Sequence, residues 1–364
     1  MKASRWFAAI VAALALVQLS PSPPGVAYAE ARGREAAPPI ASAGPAPRVD
    51  PVVVVVMDGV RWQEIFRGAD PVMLAAAGKA QAMRRRPVAP EALAPNLHAL
   101  LAERGAALGA PGRSTIRASG PRFVSLPAYR EIFSGASSLD CLDNHCPRIT
   151  RPTMVDELRD RGGRAAVFAS WTPIAFAAAR HAEGVVLSAG QGDTKEEPWP
   201  GDGDFRPDRS TAKLALDHLE RERPDFLFVG LGEPDEYAHR GDYLGYLDAI
   251  AAADAVVGEI VEALRRMGAR GARTHLFVTT DHGRASTFRD HGGAYPESAP
   301  VWLVASGPQV RARGAIVTDE PARLADLAPT MRTLLGLAAP PTTPGVVPGR
   351  VMTALLDDAR VSQR

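Results

Sequence analysis

The run Val52–Val56 is five valines, followed by Met57, Asp58 and Gly59. An apolar run without alternation reads as a parallel strand covered on both faces. Shorter apolar runs recur: "RAAVFA" from Arg164, "GVVLSA" from Gly184, "DFLFVGLG" from Asp225, "THLFVTTD" from Thr274 and "PVWLVASG" from Pro300. Segments of helical period separate them. "APNLHALLAERGA" puts Leu97, Leu100 and Leu101 on one face and stops at Gly105. "TMVDELRDRGG" starts at a Thr cap and ends at glycines. "STAKLALDHLERER" starts at Ser210, and "PARLADLAPTMRTLLGL" is the last long helix. "DYLGYLDAIAAADAVVGEIVEALRRMG" repeats Leu244, Leu247, Ile250, Val257, Ile260 and Leu264, then closes on basic residues and Gly268. Strand–helix alternation of this kind predicts an α/β fold: a mostly parallel central sheet with helices on both faces. Phe66 to Gly112 shows no clear strand.

The ends of the chain read differently. Lys2 and Arg5 precede an apolar stretch from Trp6 to Leu19, and Ala27-Tyr28-Ala29 offers a small-x-small cleavage site. That is the pattern of a signal peptide over 1–29, cut after Ala29. The stretch is shorter than a spanning helix needs, so no membrane span is expected once it is removed. Residues 30–49 are rich in Ala and Pro and read as a disordered linker. Residues 50–357 are expected to form one catalytic domain. The expected location is periplasmic or secreted.

Composition narrows the partners. The net charge is +1 at pH 7, which argues against a nucleic-acid-binding surface. The basic run Arg84-Arg85-Arg86 reads as a solvated loop. Cys141 and Cys146 lie in "CLDNHCP". In an exported chain they are expected to form a local disulfide, in preference to two free thiols. A metal knuckle with His145 would have only three nameable ligands where structural zinc takes four.

The chemistry gathers at strand ends. The first strand ends in Asp58, "FLFVGLG" runs into Asp235 and His239, "HLFVTT" runs into Asp281-His282, and "FRDHGG" supplies His291. In a parallel sheet, C-terminal strand ends lie on one edge. Singly, each residue reads as a helix cap or a surface side chain. Together, three carboxylates and three histidines require counter-charge, because clustered buried charges are costly. A divalent metal supplies it, and mixed His/Asp ligation suits zinc. Ser125, in "FVSLPAYREIFSG", opens a helix. It reads either as that helix's cap or as a nucleophile at a helix N-terminus, where an anion is favoured.

"VVMDGVRW", "VSLPAYREIFSG", "GEPDEYAHRGDYLGYLDAI", "VTTDHGR" and "FRDHGG" occur in that order from Val52 to about Gly293. The set resembles the alkaline phosphatase superfamily, in the branch of type I phosphodiesterases, nucleotide pyrophosphatases and cofactor-independent phosphoglycerate mutases. The resemblance implies an alkaline phosphatase-like fold and two metal sites, for which the mixed His/Asp donor set suits Zn2+ or a similar ion such as Mn2+. It implies Asp235, His239 and His291 on one ion, and Asp58, Asp281 and His282 on the other. Ser125 would reach toward both as nucleophile. The implied activity is hydrolysis of a small-molecule phosphate mono- or diester through a phospho-serine.

Some features depart from that family. Sulfatases of the superfamily carry Pro at +2 and Arg at +4 from a modifiable Cys or Ser. Here Pro127 is at +2, but Tyr129 is at +4 and Arg130 one place late. Phosphodiesterase relatives usually carry Thr as nucleophile, and the mutases carry a large inserted domain. Arg130, Arg284 and Trp171 are candidates to grip substrate. The rival readings are sulfate or phosphonate ester hydrolysis in the same superfamily, a metal-free serine hydrolase, and a metal-stabilised binding protein. The nucleophile elbow Gly-x-Ser-x-Gly of α/β-hydrolases is absent from the sequence.

Overall fold

The computed structural model describes residues 50–77, 89–193, 204–339 and 344–357. The signal-peptide, linker and Arg84–Arg86 expectations lie outside them. Six expected strands are present: β1 (Val52–Met57), β5 (Ala165–Ala169), β6 (Val186–Ala189), β7 (Phe226–Leu231), β8 (His275–Thr279) and β9 (Leu303–Ser306). They join β2 (Gly105–Leu108) and β10 (Gly314–Ala315) in one eight-stranded sheet of order β10-β2-β9-β8-β1-β7-β5-β6. β9 runs antiparallel to both of its neighbours, and every other pairing in the sheet is parallel. Two small ribbons lie outside the sheet: β3 (Ile116–Arg117) beside β11 (Ala322–Arg323), and β4 (Ala136–Ser138) beside β12 (Val346–Pro348).

The valine run shows why the sheet is covered twice. Val52, Val54 and Val56 enter one apolar core, whereas Val53, Val55 and Met57 enter the other. The first core holds the helices Ser125–Ser134, Met154–Asp160, Ile174–Ala178 and Leu327–Leu334. The second holds Trp62–Arg67, Pro95–Glu103, Asp208–Glu222 and Tyr243–Arg266. Successive side chains of a strand point to opposite faces, so a strand between two helical layers must be apolar throughout.

Local signals set several boundaries. Thr153 caps its helix in a reciprocal box with Asp156. The helix expected from Ser210 begins two residues earlier, at Asp208, behind Pro207. The last helix is shorter than its apolar period suggests, spanning Leu327–Leu334, because Ala322-Arg323 joins the β11 ribbon and Leu324–Asp326 forms a tight turn. The Phe66–Gly112 segment does contain a strand, β2. Its "GAAL" has none of the β-branched or aromatic residues that mark strands. It is recruited by pairing with β9, Gly105 opposite Ser306. Among the described residues, no helix is long and apolar enough to cross a membrane.

Candidate functional site

β8, β1 and β7 are neighbours at the centre of the sheet, so their C-terminal ends deliver Asp281-His282, Asp58 and Asp235 to one place. Asp58 follows Met57 directly, and its N–H continues the ladder to the Leu231 carbonyl at 2.9 Å. Gly59 then turns with φ 63° and donates its N–H to Asp281 Oδ1 at 3.0 Å. A Cβ at Gly59 would collide with Asp235 Oδ1 and Arg284 Nη1, so this turn requires glycine for both its conformation and its space. Val60 N–H donates to Thr280 Oγ1 at 3.1 Å. These bonds stitch the ends of β1 and β8 together.

Beyond β7, the helix Glu233–His239 presents Asp235 and His239 one turn apart. Its N-terminus is anchored by Asp208, whose carboxylate accepts from Gly232 N–H at 2.8 Å and Glu233 N–H at 3.0 Å. Asp235 Oδ2 lies 3.0 Å from His239 Nε2, and His239 Nε2 lies 3.1 Å from His291 Nε2. His291 Nδ1 contacts the Phe123 carbonyl at 3.1 Å, and His282 Nδ1 the Gly283 carbonyl at 2.9 Å. A carbonyl can only accept, so each Nδ1 carries a proton and each Nε2 turns its lone pair inward. A carbonyl partner of this kind fixes the tautomer of a ligating histidine.

His282 Nε2 is the meeting point. It lies 3.1 Å from Ser125 Oγ, 3.3 Å from Asp281 Oδ2 and 3.5 Å from Asp58 Oδ1. Asp58 Oδ1 and Asp281 Oδ2 are buried without a hydrogen-bond partner. Buried carboxylate oxygens are seldom left so, and a cation would satisfy both. Donor atoms of Asp58, Asp281 and His282 lie within 4.8 Å of one another, as do those of Asp235, His282 and His291. His282 therefore stands between the two groups, and His239 extends the second on its exposed side. The donor set, neutral imidazole with carboxylate, fits Zn2+ or Mn2+.

Electrostatics give the same picture. Burial, then repulsion from Asp281 and Asp235, pushes Asp58 well above the usual carboxylate range. Burial lifts Asp281 to about 6. Burial lowers His282 to about 4 and, with His282 beside it, His291 to about 3, so both imidazoles are neutral. Burial would also raise Asp235, but Arg284 and His239 outweigh it and hold that carboxyl well below the ordinary value. Without added cations the cluster is under-neutralised at Asp58 and Asp281.

Ser125 is the first residue of its helix, and the N-cap position is Val124, which makes no side-chain cap bond. The capping alternative for Ser125 is therefore set aside. Leu126 N–H instead donates to Asn144 Oδ1 at 3.0 Å. Asn144 lies inside the loop closed by the Cys141–Cys146 disulfide, and that loop is brought against the helix Ser125–Ser134. Tyr129, one turn beyond Ser125, donates its hydroxyl to Asp58 Oδ2 at 2.8 Å. The sequence reading missed both. Tyr129 had a signal, since i and i+4 share a helix face; Asn144 had only its place in "CLDNHC".

Two of the three substrate-grip candidates, Arg130 and Arg284, are engaged by other groups. Arg130 bonds the Pro147 carbonyl and faces Asp140 at 3.8 Å. Arg284 is buried and bonded to Asp235 itself. Trp171 is bridged through its backbone to Phe205.

The chain carries an alkaline phosphatase-like fold, and its residues 204–339 match the family model of the Metalloenzyme superfamily. It is similar to the 2,3-bisphosphoglycerate-independent phosphoglycerate mutase of Natronomonas pharaonis, 33% identical over 147 residues, which are 39% of this chain and 28% of that protein. The mutase of Cereibacter sphaeroides is 35% identical over 146 residues, 38% and 26% of the two chains. The chain thus matches about a quarter of the length of these curated relatives. Among solved structures it resembles the phosphonate monoester hydrolase of Agrobacterium radiobacter (TM-score 0.54, 16% identity, 85% of this chain and 77% of that one). It also resembles a 2-O GAG sulfatase (TM-score 0.56, 15% identity, 84% and 73%). An alkaline phosphatase superfamily protein from Vibrio parahaemolyticus aligns at TM-score 0.53, 14% identity, 80% and 67%. At these identities the structures speak for the fold.

Proposed function

We propose that the protein is a metal-dependent hydrolase of small phosphate esters that uses Ser125 as nucleophile. One observation carries this reading: Ser125 Oγ, at a helix N-terminus, lies 3.1 Å from His282 Nε2, the same nitrogen that sits 3.3 and 3.5 Å from two buried carboxylate oxygens that lack partners. Asp58, Asp281 and His282 would hold one divalent ion, and Asp235, His239 and His291 the other. Two ions held there would supply positive charge to steady an attacking and a leaving oxygen.

The chain's own groups do the rest. Ser125 Oγ forms the new P–O bond while the ester oxygen departs, and water then releases phosphate from the phospho-serine. Tyr129 holds Asp58 Oδ2, leaving Oδ1 directed inward. The Phe123 and Gly283 carbonyls aim His291 and His282. Asn144 accepts from Leu126 N–H, which leaves its amide hydrogens to bind an anionic ester oxygen at the same helix end. The disulfide suits an oxidising compartment, in keeping with the export pattern over 1–29.

A metal-free serine triad fits less well. Its histidine needs a carboxylate at the far nitrogen, but His282 Nδ1 faces the Gly283 carbonyl.

Metal analysis of the purified protein, followed by assays on phosphate monoesters, phosphate diesters, phosphonates and sulfate esters, tests the proposal. Two divalent ions per chain and turnover of a phosphate ester are expected. Full activity in metal-free protein would refute it, and turnover of sulfate or phosphonate esters alone would move the substrate within the superfamily.

A further inference from the structure

Arg284 makes an unusual set of contacts for a side chain so close to proposed ligands. It is 1% exposed. Its Nε donates to the Phe288 carbonyl at 2.6 Å, its Nη2 to the Arg289 carbonyl at 2.7 Å, and its Nη1 to Asp235 Oδ1. All three nitrogens are engaged, so this guanidinium is not available to grip substrate. The two carbonyls belong to the loop that begins after His282 and returns at His291. That loop also closes on itself, through Ala285 N–H to the Asp290 carbonyl at 2.8 Å and Phe288 N–H to the Ala285 carbonyl at 2.9 Å. Phe288 adopts φ 71°, a conformation a bulky residue keeps only when its surroundings impose it. Its ring lies 6.0 Å from the Arg284 guanidinium and packs edge-on against Tyr243 and Tyr246. One side chain thus joins the segment between two histidines to a carboxylate on a different helix, and Gly59, beside Asp58, leaves the space in which that pair sits.

We infer that Arg284 is a positioning residue for the ion assigned to Asp235, His239 and His291. It occupies Asp235 Oδ1, so the carboxylate offers Oδ2 alone, the oxygen that faces His239 Nε2 at 3.0 Å. It also sets the reach of the loop that ends in His291. The inference rests on the two-ion reading of the site. A lysine would keep the charge but not the planar fork that serves two carbonyls and a carboxylate at once. Outer contacts of this kind typically change metal affinity by 10- to 100-fold.

The test is Zn2+ titration of chelator-stripped protein against a chromophoric competitor, for wild type, Arg284→Lys and Arg284→Gln. Wild type should show two sites. Both variants should lose roughly 10- to 100-fold affinity at one site, the same site that His239→Ala weakens, and keep the other. Wild-type affinity at both sites in Arg284→Lys and Arg284→Gln would overturn the role of Arg284 and leave the two-ion reading intact; wild-type affinity in Arg284→Lys alone would show that charge suffices and overturn positioning. A wild-type protein that binds no Zn2+ would instead remove the two-ion reading itself. If neither variant folds, a crystal structure of Zn2+-loaded wild type decides. Arg284 should remain on Asp235 Oδ1 with the ion on Oδ2, and an ion gripping both oxygens with Arg284 displaced would overturn the inference.

Discussion

Ser125 opens its helix without capping it, which separates two consequences of removing its hydroxyl. Loss of a side-chain cap costs about 1 kcal/mol, and Ser125 makes no such bond. Ser125→Ala is therefore expected to unfold in denaturant close to wild type, keep its metal content and lose turnover by orders of magnitude. Wild-type turnover in this variant would exclude a covalent serine mechanism. Tyr129→Phe asks a finer question. It removes the donor to Asp58 Oδ2, and a lost second contact of this kind should weaken one ion roughly 10- to 100-fold in competition titrations. The gathering of Asp58, Asp235, Asp281 and His282 was legible because each lies at or just beyond the end of an apolar run, and strand ends converge in a parallel sheet. The roles of Asn144 and Arg284 were not. Their roles depend on which segments fold against each other, and sequence spacing alone does not report that for Asn144 and Asp235-linked Arg284.

At the scale of elements, the helix Ser125–Ser134 contains a buried acid, Glu131, whose carboxylate oxygens accept from Ser119 N–H at 3.1 and 3.2 Å. These bonds hold the segment leading to Phe123, whose carbonyl aims His291. Burial raises Glu131 from 4.5 to about 7. Between those values the folded protein keeps a proton that the unfolded chain has released, so this residue lowers stability as pH rises through that window. In chelator-treated protein, Glu131→Gln should gain on wild type by up to about 3 kcal/mol between pH 4 and 8. Parallel stability curves would show that Glu131 ionises normally. The Cys141–Cys146 bridge, five residues apart in sequence, closes a short loop worth roughly 2 kcal/mol by chain entropy. Cys146→Ser should therefore still fold, while its turnover falls, because Asn144 loses its hold on the helix Ser125–Ser134. Unchanged turnover would make the loop purely structural. The elements themselves were legible where apolar periodicity was strong, as in β1 and the helix Tyr243–Arg266. The strand Gly105–Leu108 was hidden because pairing, not composition, makes it a strand.

The whole molecule buries carboxylates at one edge of a doubly covered sheet, where burial, then repulsion between neighbouring carboxylates, pushes Asp58 and Asp281 upward. Ligands that bind only the folded state stabilise it, so chelation should lower the melting temperature, and Zn2+ should restore it. Equal melting temperatures with and without metal would mean the cluster is self-sufficient. The overall architecture followed from strand–helix alternation; the direction of β9 did not, since an apolar run carries no sign of its orientation. The proposed metal site and the Ser125 hydroxyl are tested together by trapping the covalent intermediate. Enzyme turning over a phosphate ester is quenched in acid, digested, and the peptide containing Ser125 is weighed. A phosphoryl group is expected on Ser125 in metal-loaded protein and none in chelated protein. Sustained turnover with Ser125 unmodified, and undiminished in Ser125→Ala, would contradict that expectation.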